Sequence, residues 1–209
     1  MSLPAKSIVP ALAVRFSLGE AQAASDSWGF NCGPGALCAI LGMTPDELRP
    51  HLQGFEDKGH TNPTLMASIL RGLRIPFYRL FEQQAKVRRE CLKTPLYPDP
   101  GLMRVQWDGP WCDRGRLVRA RYRHTHWVVV RMAIKPKQPL RYPKSGWPGR
   151  EVFDINAMSC GGWLSWEEWA NDLIPWLIKE CAPKANGNWW PTHCWEVRHP
   201  TAGRLAFEE

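Results

Sequence analysis

The sequence predicts an α+β fold, with helices first along the chain and an antiparallel sheet after them. Two observations support this class. Segments before residue 80 carry helix-start signals, whereas two β-branched, apolar segments lie between residues 117 and 156. With 209 residues, 44% of them hydrophobic, the chain is long enough for one domain with its own core. We therefore expect a single domain over 1–209, made of a helical half (about 1–93), a sheet-forming half (about 94–181) and an irregular tail (182–209).

The helical half divides at clear start and stop signals. Residues 1–31 show no periodicity and are predicted to form a loop. A buried helix begins near Cys32, because Pro34 suits a first turn and Gly42 suits a C-terminal stop. Thr44 and Glu47 form a capping-box pattern around Pro45, so a second helix should run to about Leu52. A third helix is predicted over Pro63–Leu73.

The second half alternates strands with connections rich in proline and glycine. Ser165 and Glu168 form another capping-box pattern, which predicts a helix from Trp166 toward Glu180, kinked at Pro175. Trp166 and Trp169 lie three apart, on one face of that helix, and should pack on the sheet. The remaining predictions are strands at Ile75–Phe81, His126–Met132 and Glu151–Asn156, a connection at Thr94–Pro110 and a hairpin tip at Lys135–Arg150.

Charge and cysteine content limit the classes of function. A net charge of +7 and a pI near 9.2 favour anionic partners. Seven scattered cysteines without a CxxC pair argue against a disulfide framework, so we expect reduced thiols and a cytoplasmic location. The N-terminal segment resembles a signal peptide only faintly, because Arg15 and Glu20 interrupt it. No apolar run is long enough for a membrane helix, so we expect no membrane association.

Cys32 is the candidate nucleophile. A thiol nucleophile needs a lowered pKa, a base within hydrogen-bonding distance and a group that orients the base. Cys32 lies at a predicted helix start, where the unpaired N–H groups and the positive end of the helix dipole favour the thiolate. Gly33 and Gly35 would leave room for a substrate backbone. Cys38, inside the apolar helix, is expected to be a core residue.

His124 and His126 are the candidate bases, because both lie at the entrance of a strong predicted strand and on the same face of it. We favour His126, since the arginines near His124 would disfavour the imidazolium that a catalytic cycle forms. The orienting group should come from the next strand, where Asp154 and Asn156 share a face. Asp154 is favoured because a carboxylate among apolar residues needs a partner such as imidazole.

Three motifs together resemble the papain-like cysteine peptidases, and the C39-like peptidases most closely. They are Asn31-Cys-Gly-Pro-Gly-Ala-Leu-Cys-Ala-Ile-Leu41, Thr125-His-Trp-Val-Val-Val130, and Val152-Phe-Asp-Ile-Asn156 followed by Gly162-Trp-Leu-Ser-Trp-Glu-Glu-Trp169. The resemblance covers residues 31–169 and implies a papain-like fold without metal or cofactor. It implies a peptidase or amidase that acts on a peptide or isopeptide-type bond in a peptide or protein substrate.

The resemblance also assigns roles to residues. It implies that Cys32 is the nucleophile, His126 the general base and acid, and Asp154 the orienting group, with Asn156 as a substitute orienter. The family normally has a glutamine about six residues before the nucleophile, which donates to the oxyanion. Residue 26 is Asp in this chain, and Gln22, ten residues before Cys32, is the candidate for that role.

Three alternatives stay open. The first is a papain-like binding protein without activity. The second is a nucleic-acid-binding module or another anionic partner, suggested by Arg114, Arg116, Arg119, Arg121 and Arg123. The third is a zinc site made of Cys160, Cys181, His193 and Cys194, although these residues lack the paired spacing of structural zinc ligands.

Overall fold

The computed structural model describes residues 14–28, 32–55, 59–82, 97–113, 116, 124–133 and 149–198. Its helices are α1 (Leu18–Trp28), α2 (Cys32–Leu41), α3 (Pro45–Leu48), α4 (Pro63–Gly72), α5 (Trp166–Glu168) and α6 (Ile174–Cys181). A π-helical turn, Trp169–Leu173, joins α5 to α6, and 3-10 turns occur at Arg49–His51, Pro110–Cys112 and Ile155–Cys160. None of the helices in these ranges is long and apolar enough to cross a membrane.

Six antiparallel strands form one sheet in the order β1-β6-β2-β3-β4-β5. The strands are β1 (Phe77–Glu82), β2 (Gly101–Trp107), β3 (Thr125–Met132), β4 (Arg150–Phe153), β5 (Trp163–Ser165) and β6 (Trp189–Val197). The α+β class is therefore confirmed. β3, which begins with Thr125 and His126, lies between β2 and β4, so one end of the sheet presents this strand start beside the end of β4.

The two faces of the sheet are covered by different parts of the chain, since successive side chains of a strand point to opposite faces. One core joins α2 and α4 to the face that carries Trp127 and Trp195. The other joins α5, the π-helical turn and α6 to the face that carries Val128 and Val130. Helices that precede β1 and helices that lie between β5 and β6 thus cover the sheet from its two sides, and the start of β3 lies where the two layers meet.

Local signals placed most of the predicted helices correctly. α2 begins at Cys32 and stops before Gly42, whose φ of +62° is the left-handed conformation that glycine adopts readily. The predicted capping boxes are present at Thr44 and at Ser165, with the hydrogen bonds of both donors in place. The helix after Ser165 runs to Cys181. The π-helical turn interrupts it just before Pro175, which cannot donate an N–H to the preceding turn.

Four segments differ from the sequence prediction. The predicted strand Glu151–Asn156 ends at Phe153, and Asn156 lies in a 3-10 turn capped by Asp154, so the two residues do not share a strand face. Residues 18–28 form α1 instead of a loop, because Ser17 and Glu20 exchange side-chain and backbone hydrogen bonds that start a helix. The predicted connection Thr94–Pro110 contains β2, which is buried along its whole length and so lacks alternation. The predicted irregular tail contains β6, in which Pro191 lies at a shift of register opposite Val105.

Several predictions fall outside the described residues. These are residues 1–13 of the signal-like segment, all but the last two residues of the Lys135–Arg150 hairpin tip, and four of the clustered arginines, namely Arg114, Arg119, Arg121 and Arg123. Arg116 is described and is exposed.

Candidate active site

Cys32 is the first residue of α2, and its side chain is partly buried. The other nine residues of the helix are buried, so α2 is fixed in the core and only its first residue, Cys32, reaches the surface. The thiol therefore lies at the positive end of a ten-residue helix, beside backbone N–H groups that have no partner within the helix. This position favours the thiolate over the thiol.

His126, near the start of β3, is the base that interacts with this thiol. Against the effect of burial, the charge of its imidazole and hydrogen bonding from the imidazole and from the backbone N–H of Trp127 lower the pKa of Cys32. Trp127 itself points to the opposite face of the sheet, where its indole N–H donates to the carbonyl of Thr61 at 2.8 Å. His124, the other candidate base, instead stacks its ring on Trp111 with centroids 3.7 Å apart.

Asp154 follows the last residue of β4 and faces His126. The distance between His126 Nε2 and Asp154 Oδ2 is 2.7 Å, which leaves Nδ1 as the ring nitrogen available to the Cys32 thiol. Asp154 is completely buried and His126 is 5% exposed. The fold thus brings together Cys32, His126 and Asp154 from three separate elements, in the order thiol, imidazole, carboxylate.

Asn156, the alternative orienting residue, does not occupy the position that faces His126. Its backbone N–H and its side-chain Nδ2 both donate to Asp154 Oδ1, at 3.0 and 2.9 Å. Asp154 is also the N-cap of the 3-10 turn Ile155–Cys160, so the same carboxylate starts this turn and contacts the imidazole. In this structure Asn156 supports Asp154 and does not replace it.

The three groups shift one another's pKa in a consistent direction. Burial alone would raise the pKa of Cys32, but the neighbouring charge of His126 and the hydrogen bonds to the sulfur hold it below its ordinary value. Burial would lower the pKa of His126, but the charges of Asp154 and Cys32 raise it well above its ordinary value. The pKa of Asp154 is lowered, because the charge of His126 and the donors around the carboxylate outweigh burial. These directions favour a thiolate–imidazolium pair.

A cleft of about 380 Å³ opens above Cys32 and His126. One wall is a face of α1, formed by Leu18, Ala21, Gln22 and Ser25 at helical spacing. The opposite wall is Leu177 and Cys181, one turn apart on α6. The remaining lining residues are Trp107, Ile155 and Asn156.

Gln22, the oxyanion candidate, therefore lies in the wall of the cleft that contains Cys32. It reaches this position because residues 22–28 are helical. Its Nε2 donates to Asp26 Oδ1 at 2.9 Å, one turn along α1. A side-chain amide has two N–H groups, so this contact uses one of them. Asp26 therefore occupies one N–H of the Gln22 amide and leaves the other available.

Gly33 and Gly35 were expected to admit a substrate backbone, and this expectation is wrong. Both residues are buried. A Cβ atom on Gly33 would collide with the side chain of Thr61, and one on Gly35 would lie 2.9 Å from Cβ of Ile155. The two glycines are needed for close packing of α2 within the protein.

The zinc alternative is wrong, since its four residues do not come together. Among the described residues no group of three or more His, Cys, Asp or Glu side chains is placed to hold a metal ion. Cys160 and Cys181 are exposed, Cys194 is fully buried, and His193 precedes Cys194 on the same strand, where successive side chains face opposite ways. None of these three cysteines, nor Cys32, Cys38 or Cys112, forms a disulfide among the described residues.

Sequence reasoning missed two residues of the site. Trp107 was placed in a connection, but it ends β2 and lines the cleft. Trp169 was assigned to packing on the sheet. Its indole also donates Nε1–H to Asp154 Oδ2 at 2.8 Å. A buried tryptophan usually finds an acceptor for its N–H, and this was the available signal for Trp169, but the sequence does not say which acceptor it finds.

Comparison of the chain with protein-family models, curated proteins and solved structures gives no match. The function must therefore be inferred from the chemistry of the residues in and around the cleft.

Proposed function

We propose that this protein is a papain-like cysteine hydrolase, similar to the C39-like peptidases, that cleaves a peptide or isopeptide-type amide bond. Cys32 is the nucleophile, His126 the general base and acid, and Asp154 the orienting residue. The observation that carries the proposal is the buried 2.7 Å contact between His126 and Asp154, together with the interaction of the same imidazole with a thiol at a helix start. A buried carboxylate that orients an imidazole, and an imidazole that activates a thiol, form a triad suited to acyl transfer.

The reaction begins when the Cys32 thiolate attacks the carbonyl carbon of the substrate amide and the carbonyl oxygen becomes an oxyanion. The backbone N–H of Cys32 and the second N–H of Gln22 are the donors proposed to hold that oxyanion. The C–N bond then breaks, and the proton of the His126 imidazolium passes to the leaving amine. The acyl group remains on Cys32 as a thioester, while Asp154 holds the imidazole ring in place.

Water completes the cycle. His126, now neutral, takes a proton from a water molecule as the oxygen attacks the thioester carbonyl. The carbon–sulfur bond breaks, the acid is released, and the thiolate–imidazolium pair is restored. A second amine in place of water would give acyl transfer by the same steps.

The walls of the cleft favour an uncharged, extended substrate segment. No described lining residue outside the triad carries a formal charge, and Leu18 is 52% exposed toward solvent. The lining face of α1 spans seven residue steps, or roughly 10 Å at about 1.5 Å per residue. About three residues of an extended peptide fit along that length at roughly 3.3 Å each.

The rate of alkylation by iodoacetamide tests whether the Cys32 thiol is activated, and a second cysteine of the chain serves as the internal reference. Cys181 lies in the same cleft as Cys32 and is exposed, so a reagent that reaches one can reach the other. At pH 6 an ordinary thiol is well under 1% thiolate, so we expect Cys32 to react at least about tenfold faster than Cys181. His126→Ala should bring the rate at Cys32 down to that of Cys181. Equal labelling of the two cysteines in the native protein contradicts the proposal.

Cleavage itself is tested with a library of uncharged and charged peptides, using mass spectrometry to find new termini. The native protein should produce cleaved peptides, and Cys32→Ala should produce none. The alternative, a binding protein with the same fold, is favoured by the engagement of Gln22 with Asp26. This alternative predicts that the native protein binds peptides without cleaving them and that Cys32→Ala binds the same intact peptides.

A further inference from the structure

Trp169 contacts the same carboxylate oxygen that faces His126. Its indole is completely buried, and Nε1 lies 2.8 Å from Asp154 Oδ2, while His126 Nε2 lies 2.7 Å from that atom. The other oxygen, Oδ1, accepts both donors of Asn156. Four N–H groups therefore surround one buried carboxylate, and each oxygen has two of them.

The indole of Trp169 is held firmly in this position. The capping box of Ser165 and Glu168 fixes the start of α5 just before it, and the π-helical turn begins at Trp169 itself. Insertions of this kind in a helix occur frequently at functional sites, because they redirect a side chain. Trp166 and Trp189 pack against the ring, with centroids 5.4 and 5.1 Å away. The indole N–H cannot turn from Asp154 without disturbing this aromatic cluster.

We propose that Trp169 is a positioning residue for the hydrolysis, whose indole N–H locks the Asp154 carboxylate so that Oδ2 stays directed at His126. The proposal rests on the proposed function, because the orientation matters only if His126 transfers protons. Rotation of the carboxylate about its Cβ–Cγ bond would break the contacts of Trp169 and Asn156 together. Trp169 does not line the cleft, so it acts through Asp154 and not on the substrate.

The contact also acts on charge. Burial raises the pKa of Asp154, but the charge of His126 and the hydrogen bonds to the carboxylate, with that of Trp169 among them, lower it below its ordinary value. The ionised carboxylate raises the pKa of His126, and the protonated imidazole lowers that of Cys32. Among the described residues, Cys32, His126 and Asp154 are the ionisable groups that shift one another here. Loss of the Trp169 donor to Asp154 should therefore raise the pKa of the Cys32 thiol.

Two variants of Trp169 remove the donor. Trp169→Phe keeps an aromatic ring, and replacement by benzothienylalanine keeps the full shape of the indole with sulfur in place of N–H. In both we expect the alkylation of Cys32 to require a pH higher by up to roughly one unit. A carboxylate that is free to rotate loses its directed hydrogen bond to the charged imidazole of His126, and a hydrogen bond to a charged group is worth about that much. Trp189→Phe is the matched control, since it shrinks a ring of the same cluster without touching Asp154. Its alkylation profile should match that of the native protein.

A second readout does not depend on catalysis. The pKa of His126, measured from its imidazole resonances by NMR, should fall in both Trp169 variants and stay unchanged in Trp189→Phe. If benzothienylalanine at 169 leaves both the His126 titration and the Cys32 profile unchanged, Trp169 is a packing residue only and the inference is wrong. If native Cys32 is not activated but the His126 pKa falls in the variants, the proposed function fails while the positioning contact stands. A shift of equal size in Trp189→Phe also overturns the inference.

Discussion

Asp154 and His126 meet through a 2.7 Å contact between Oδ2 and Nε2, with the carboxylate fully buried and the imidazole nearly so. Neither group would be stable as a charge at this depth without the other, since an unpaired buried charge costs several kcal/mol. The carboxylate has four N–H donors, and the imidazole has a thiol on its other side. A buried network of polar groups therefore lies at the inner end of the cleft.

Asp154→Asn should separate the charge of this residue from its shape. The asparagine amide keeps the volume of the carboxylate but has no negative charge. Its NH₂ group would also point at N–H donors that now contact a carboxylate oxygen. We expect alkylation of Cys32 at pH 6 to slow by at least about tenfold, because His126 loses the charge that favours the imidazolium. The free energy of unfolding in urea should fall by about 1–3 kcal/mol. Asp172→Asn, at an exposed carboxylate, is the control, and an unchanged Cys32 rate in Asp154→Asn would remove Asp154 from the proposed triad.

Gly33→Ala should destabilise the protein, whereas Gly72→Ala should not. A Cβ on Gly33 collides with Thr61, and both residues are buried, so the variant should lose about 1–3 kcal/mol of stability. Gly72, the last residue of α4, has open space at that position and should gain up to about 1 kcal/mol from the helix propensity of alanine. Urea unfolding of the two variants measures the difference. Equal stability of Gly33→Ala and the native protein would mean that α2 can move away from Thr61.

His193 should make the protein less stable as the pH falls from about 6.5 toward 4. Burial, with Arg104 and Arg79 nearby, lowers the pKa of His193 to about 3. In the unfolded chain His193 is protonated below about pH 6.5, whereas in the folded protein it stays neutral. The free energy of unfolding therefore falls by up to about 1.4 kcal/mol per pH unit below that value. The raised pKa of His126 has the opposite effect: its contribution to the stability of the folded protein is fully present below pH 6.5 and is lost only at higher pH.

His193→Gln removes this titration. Its unfolding free energy, measured by urea denaturation between pH 4 and 7, should depend less steeply on pH than that of the native protein. His51→Gln, at an exposed imidazole, should keep the native slope. Parallel slopes for His193→Gln and the native protein would mean that His193 is protonated in the folded state.

Elements with local signals were predictable from the sequence, and those defined by distant contacts were not. The capping residues Thr44 and Ser165 and the stop at Gly42 act within a few residues, so the sequence alone marks them. β2 carries Arg104 in its buried interior, where the hydroxyls of Thr125 and Thr192 accept its hydrogen bonds. Those partners lie 21 and 88 residues away along the chain, and no local pattern shows that they would make an internal arginine acceptable.

The same distinction holds for the site. Cys32, His126 and Asp154 lie beside recognisable element starts or ends, and their residue types suggested their chemistry. The contact between Trp169 and Asp154 could not be predicted. The direction of the indole depends on a π-helical turn, and the sequence there has the pattern of an ordinary helix. Gln22 was predicted as the oxyanion donor, but its position in the wall of the cleft depends on α1, where a loop was expected.

The position of β6 has a consequence for synthesis of the chain. β6 is the last described strand, yet it lies between β1 and β2 and supplies the neighbour of β1 in the sheet. A nascent chain that has emerged only as far as α6 already contains Cys32, His126 and Asp154, but β1 still lacks its partner and β2 has one free edge. A ribosome-bound chain of this length therefore leaves these strand edges unpaired until residues 189–197 emerge, and unpaired edges are places where partly folded chains aggregate.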